Sequence, residues 1–291
     1  MQVSILTVTA MLAFAANSIL CRMALQGDLI DAATFTLIRL VSGTGALLVI
    51  IFSQKEKATL TRHWPSALLL FIYMAAFSYA YLELPAGAGA LILFGAVQMT
   101  MLSYAAYQGQ RFSRLSTAGM AIAALGLTTL LAPGVLTESS EFSVKGSLLM
   151  ATAGIAWGAY SLCGKQAQAP LTATATNFLL ATPMAILLWL PAGLSGHAHL
   201  TTHGLLLAVL SGVFASAAGY AIWFAAVKRI SAASAAIVQL SVPVIAGLGG
   251  YIWLLETPDS HFITASVMVL GGIWLVLNQR HRRLTRANLN K

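Results

Sequence analysis

Residues 231–255 read SAASAAIVQLSVPVIAGLGGYIWLL. The stretch carries no charge and is long enough to cross a bilayer as a helix, which takes about 20 apolar residues. At helical spacing Ala232, Ala236, Gln239, Pro243, Ala246 and Gly250 share one face, and Ile237, Leu240, Val244 and Leu248 share another. The first face is small and polar and suits helix contact or a cavity; the second is bulky and suits lipid. Pro243 has no N–H, so the carbonyl of Gln239 loses its helical donor. A freed carbonyl beside a side-chain amide at membrane depth needs protein or a water-lined cavity around it. Two readings fit: a tight helix contact that tolerates a proline, or part of a transport path.

The flanking sequence has the same character. The 291 residues are 58% hydrophobic and only 8% charged, against about 25% charged in a soluble domain, and the mean hydropathy is +0.82. Ten apolar stretches are visible, at roughly 3–22, 33–53, 64–83, 86–107, 115–133, 146–164, 171–191, 204–227, 231–255 and 260–278. Each has about the length of a membrane helix, and no connection is long enough for a soluble domain. An all-α membrane protein with ten transmembrane helices is therefore expected. The first stretch contains LAFAANS, but it lacks a positive leader and resembles a later internal segment, so it reads as a span rather than a signal peptide.

The net charge of +8 is read as topology rather than nucleic-acid binding. With the N-terminus inside, the inner connections and the tail QRHRRLTRANLNK hold 13 of the 16 Lys and Arg residues. The outer connections hold only Arg22 and Lys145, and Arg39 lies within the second stretch. The positive-inside bias then places both termini in the cytoplasm, with the basic tail at the membrane surface. Cys21 and Cys163 support neither a disulfide framework nor a metal motif.

The chain also reads as two halves, 1–135 and 136–291, the second carrying the tail. SILCRMA around Cys21 matches YSLCGKQA around Cys163, and PAGAGALIL from Pro85 matches SAASAAIVQ from Ser231. Extending the second match backwards lays Phe77 on Trp223 and Ala80 on Ala226. Five spans per half is an odd number, so the second half would enter the membrane upside down. This is the inverted-repeat arrangement of secondary transporters, whose sites lie at the repeat interface near the midplane.

Catalytic motifs do not emerge. There is no HExxH, P-loop or GxSxG, and GLGG at 247–250 follows no strand. His197, His199 and His203 read as solvated loop residues, so neither metal nor cofactor is expected. A proton relay has no visible carboxylate, because Glu83 and Glu256 sit at outer span ends, where a solvated charge is the default reading. Arg39 lies midway along its span. Two roles fit it: partner of a carboxylate, from substrate or protein, or a structural donor to neighbouring carbonyls. The remaining candidates are uncharged. Tyr73, Phe77 and Tyr81 fall at i, i+4 and i+8, with Ser78 and Tyr79 beside them. Trp157, Tyr160 and Ser161 cluster on the sixth stretch, and Tyr220, Trp223 and Phe224 on the eighth. Asn17, Gln98 and Gln239 are amides inside apolar helices. Interface belts and interhelical hydrogen bonds are the ordinary uses of such residues. Converging, they would make an aromatic-walled cavity without fixed charge, suited to a neutral, zwitterionic or amphipathic small molecule.

Taken together, these segments resemble the drug/metabolite transporter superfamily in its EamA-type branch. The stretch from Ser231 through LLETPD resembles the family's ninth helix, with a proline inside and a glutamate after the span. AFAANSILCRMA and GIAWGAYSLCGKQA resemble the first helix of each repeat. The first-half counterpart of the ninth helix departs from the pattern: Val97 stands where Pro243 would match, and Gln110 where Glu256 would. Within the superfamily the chain is similar to bacterial aromatic amino acid exporters. The resemblance implies a multi-pass inner-membrane carrier that moves amino acids by alternating access through a central cavity. Its expected lining is Asn17, Tyr79, Gln98, Trp157, Tyr160, Gln239 and Arg39. Gly87, Gly89, Ala232, Ala236 and Pro243 are the expected packing and hinge positions. The rival readings are a carrier of other metabolites or drugs and a membrane enzyme or subunit that transports nothing.

Overall fold

A computed structural model describes residues 2–53, 62–109, 113–136, 143–164, 169–227, 229 and 238–289. These residues fold as α1 (Gln2–Gln26), α2 (Ala32–Phe52), α3 (Trp64–Ala80), α4 (Ala86–Tyr107), α5 (Arg114–Leu136), α6 (Val144–Gly164) and α7 (Pro170–Leu194). Next, Thr202–Leu210, a π-helical turn pair Ser211–Ala218, and Gly219–Val227 run on as one rod, α8. Two more follow, α9 (Ser241–Leu254) and α10 (Ser260–Leu289). Among the described residues, six helices are long and apolar enough to cross a membrane, and three apolar helices are shorter. Large apolar side chains cover the outside, among them Val49, Leu187, Phe214, Leu248 and Val267, all more than half exposed. Patches of that size are stable only against lipid or a partner.

Local chemistry sets several helix starts. Asp31 caps α2 by accepting from the Thr34 N–H at 2.9 Å, and Thr201 caps α8 through the Gly204 N–H at 3.1 Å. Pro65 and Pro170 sit in first turns, where a missing N–H costs no helical bond. Pro243 belongs to the same class. The described helix α9 begins at Ser241, after a turn at Leu240. The proline therefore stands in a first turn instead of inside a continuous rod, and the break lies just past Gln239. Ala232 and Ala236 lie outside the described residues. On α9 the expected faces hold in the main: Pro243, Ala246 and Gly250 are buried, while Val244 and Leu248 are exposed. Leu240 is the exception, buried rather than lipid-facing.

Packing is dominated by a few helix pairs. α4 is the central rod, its first thirteen residues all buried. α2 packs on α7, α4 on α9 and α5 on α10; α3 packs on α6 and α7, and α8 packs on α1 and α2; α6 and α1 lie against α4 and α9 respectively. Glycine permits the closest of these approaches. A Cβ on Gly154 of α6 would lie 2.5 Å from the Leu93 carbonyl oxygen of α4, and one on Gly87 would lie 2.7 Å from the Gly247 Cα of α9. Between apolar helices in lipid, such close contact supplies the association that the hydrophobic effect cannot. Gly89 serves another contact, with the Tyr81 ring over it.

Candidate functional site

At the middle of the bundle lies a cavity of about 10 Å³, lined by Phe14, Asn17, Tyr73, Phe77, Leu93, Phe94, Trp157 and Tyr220. That is room for about one water molecule. Trp157 fills the centre. Its ring centroid is 4.8 Å from Tyr73, 4.8 Å from Tyr220, 5.6 Å from Tyr160 and 6.2 Å from Phe14. Tilted and edge-on contacts of this kind are the arrangements that aromatic quadrupoles favour.

Behind the aromatic wall runs a buried polar chain. Ser211 donates to Asn17 Oδ1 at 2.7 Å, Asn17 Nδ2 approaches the Tyr73 hydroxyl at 3.5 Å, and Arg39 Nη2 donates to that hydroxyl at 3.2 Å. Arg39 Nε donates to Ser216 at 3.0 Å. The chain ties α1, α2, α3 and α8 together. The Arg39 guanidinium also lies 5.0 Å from the Phe77 ring centroid and 5.5 Å from that of Tyr73, within cation–π range. The centre therefore contains a fixed charge, where the uncharged residues alone had pointed to a neutral pocket.

The expected site residues divide by position. Asn17 and Trp157 line the cavity, Tyr160 packs on Trp157, and Arg39 stands one hydrogen bond behind the wall. Tyr160 is also approached by Asn177 Nδ2 at 3.5 Å. Gln98 and Gln239 are buried outside the cavity lining, each with an interaction of its own, and Tyr79 is half-buried. Phe14, Ser211 and Ser216 were not singled out by the sequence. A serine within an apolar helix commonly bonds its own backbone, so it gives no signal.

One end of the bundle is stapled. Arg22 Nε meets Glu256 Oε1 at 3.0 Å, and Arg22 Nη1 donates to the carbonyls of Tyr81 and Leu82 at 2.9 and 3.2 Å. Glu256 Oε2 accepts from the Ala86 N–H at 2.7 Å. The helix-end glutamate is thus no solvated charge: both side chains are 13% exposed, and the pair joins the ends of α1, α3, α4 and α9. Leu255, in the left-handed conformation at φ 56°, turns the chain so that Glu256 folds back over Gly250. Nearby, Glu83 pairs with Lys145 at 2.9 Å and accepts from Ser143. Burial pushes the Glu83 carboxyl up, but these donors outweigh it and hold it below the usual carboxylate range. Arg22→Met and Glu256→Gln are each expected to cost about 2 kcal/mol, because each leaves a mostly buried group unpaired. Thermal unfolding in detergent checks this. The double variant should lose little more than the worse single one, whereas additive losses would show that the two side chains act independently.

An apolar-jacketed helical bundle with a polar, aromatic core and no catalytic constellation among its described residues belongs to the multi-pass membrane proteins that handle small molecules. Comparison with known proteins gives the kind. Residues 144–278 match the EamA-like transporter family. An uncharacterised protein of Pseudomonas aeruginosa is 46% identical over 283 residues, covering 97% of this chain and 96% of that one. A probable amino-acid metabolite efflux pump of Salmonella typhimurium is 26% identical over 267 residues, 86% and 89% of the two chains. A probable terminal-alkyne amino-acid exporter of Streptantibioticus cattleyicolor is 25% identical over 206 residues, 70% and 68% of the two. One crystal structure superposes with a TM-score of 0.63 over 94% of this chain and 96% of that chain at 18% identity, a likeness of fold alone. The chain belongs to the EamA-like transporter family.

Proposed function

We propose that the protein exports amino acids, aromatic and other neutral ones, from the cytoplasm of a bacterium across its inner membrane by alternating access. The observation that carries this reading is the buried centre, where the Asn17–Tyr73–Arg39 chain backs an aromatic wall closed by Trp157. Polar and charged groups at membrane depth mark substrate paths more often than scaffolding. The exporter names of the relatives from Salmonella typhimurium and Streptantibioticus cattleyicolor support the same direction and cargo.

The packing pattern supports ten spans in two inverted halves. Exchanging α1–α5 with α6–α10 maps the contact of α3 with α6 onto that of α8 with α1, α3–α7 onto α8–α2, and α4–α6 onto α9–α1. The pairs α2–α7, α4–α9 and α5–α10 map onto themselves, as a two-fold axis in the membrane plane requires. The connections that tie to one another also fall at one end. Leu29 accepts from Thr201, Arg22 meets Glu256, and Glu83 meets Lys145. With the positive-inside assignment that end faces outward, and both termini face the cytoplasm.

A space for one water holds no amino acid, so this conformation is closed around its centre. Substrate enters as the halves part. Asn17, Trp157, Tyr160 and Arg39 then meet it in the widened cavity, and Tyr79, Gln98 and Gln239 line its route. The close contacts at Gly87 and Gly89 let helices slide, the small side chains of Ala232 and Ala236, outside the described residues, are proposed for the same use, and the break before Pro243 gives α9 a hinge. Liposomes containing the purified protein should release loaded phenylalanine or tryptophan about tenfold faster than protein-free liposomes, with a ranking among amino acids set by the cavity. Equal rates across a panel of amino acids would exclude a selective central site.

A further inference from the structure

Resting on that reading, we propose that Arg39 is the anchor for a substrate carboxylate, so that the carrier takes carboxylate-bearing molecules and rejects the matching amides and amines. Three observations carry this. Arg39 is 0% exposed at mid-span, and each described hydrogen-bond partner it has is a neutral hydroxyl. The described ion pairs are Arg22–Glu256, Lys145–Glu83 and His199–Asp28, so none of them neutralises it. Its Nη1 is buried without a hydrogen-bond partner among the described residues, although Nε and Nη2 are fixed by Ser216 and Tyr73.

A buried cation without a counter-ion is costly, and a buried donor left empty adds to the cost. A purely structural arginine at this depth would spend its donors on neighbouring carbonyls, yet Arg39 bonds to none that is described. Instead it abuts Tyr73 and Phe77, two walls of the central cavity. An incoming carboxylate brings the missing negative charge and an acceptor for Nη1. Guanidinium geometry favours a planar, two-oxygen acceptor over a single-oxygen amide. No carboxylate stands ready for a substrate ammonium among the described lining residues, so selectivity falls on the acid end of the molecule.

The test is ligand-induced thermal stabilisation of the detergent-purified protein, which needs no transport to be seen. The probes are phenylalanine, 3-phenylpropionate, phenylalaninamide and phenethylamine. The two carboxylates should bind about tenfold or more tightly than the amide and the amine. Arg39→Met should remove that difference, and Arg39→Lys should keep part of it, since a lysine restores charge without the fork. Equal stabilisation by all four probes, or by none, overturns the inference; the wild-type comparison alone decides this if a variant fails to fold. Carboxylate-selective binding without uptake or release in liposomes would leave the anchor standing and remove the carrier reading. Transport of phenylalanine and phenylalaninamide at equal rates would do the reverse.

Discussion

Gly212→Leu is expected to leave no properly folded protein. Gly212 lies in the π-helical part of α8, where that helix crosses α2. A Cβ there would stand 2.5 Å from the Arg39 carbonyl oxygen and 3.1 Å from the Arg39 Cα. Both are backbone atoms and cannot rotate away. The contact is reciprocal, because a Cβ on Gly43 of α2 would meet the Gly212 carbonyl at 3.1 Å and the Phe178 ring at 2.7 Å. The two helices therefore touch backbone to backbone, and any side chain between them must push α8 off α2. Overpacking by even a methyl costs about 1–3 kcal/mol. A leucine adds three further carbons at the same point, and separating the helices also breaks the Arg39–Ser216 hydrogen bond. Gly45 supplies the control. It lies on α2, two residues past Gly43, with nothing within 4 Å of its Cβ position. Gly45→Leu should change stability by no more than about 1 kcal/mol, a helix-propensity effect. Size-exclusion profiles and melting in detergent read both variants. A monodisperse Gly212→Leu protein that melts with the wild type would show that α2 and α8 do not cross as closely as described.

How much of this could be read in the sequence depended on the range of the interaction. Apolar runs of bilayer length are a local signal, and each of α1 to α10 overlaps one of the stretches that it marks, although α10 runs on through the basic tail to Leu289. Pro243 located the break before α9 from one missing N–H, although not the fact that it would stand in a first turn. Asn17 and Trp157 were visible because an amide or an indole is conspicuous in an aliphatic helix. Arg39 was visible for the same reason, but its role needed the third dimension. Its partner Ser216 lies 177 positions away in the chain and is one serine among many. Glu256 was legible only as a charge at a span end; the guanidinium that holds it is 234 positions distant. Phe14 gave no sign at all, since a phenylalanine in a membrane helix is unremarkable until Trp157, Tyr220 and Trp223 close around it. The π-helical turns of α8 had no sequence signature, and they are the segment that carries Ser211, Gly212 and Ser216.

Trp157→Ala should cost about 3–5 kcal/mol and lower phenylalanine transport about tenfold or more. The indole is 5% exposed and is the one ring that touches Phe14, Tyr73, Tyr160 and Tyr220 together. These residues come from α1, α3, α6 and α8, so the indole is the common packing element of four helices. Removing it strips contacts from each and leaves a hole that rigid helices fill poorly. Trp157→Phe keeps a ring against Tyr73 and Tyr220 and should lose about 1–2 kcal/mol, within the range for a partial truncation. Added indole gives a sharper readout. If the alanine variant holds an open apolar cavity, free indole should occupy it and raise its melting temperature while leaving that of the wild type unchanged. Transport separates packing from substrate contact. A variant whose melting temperature indole restores but whose transport stays low has lost a substrate contact as well as a packing contact. Should the alanine variant melt and transport like the wild type, Trp157 neither closes the centre nor meets the substrate, and the site must be sought along Gln98 and Gln239 instead.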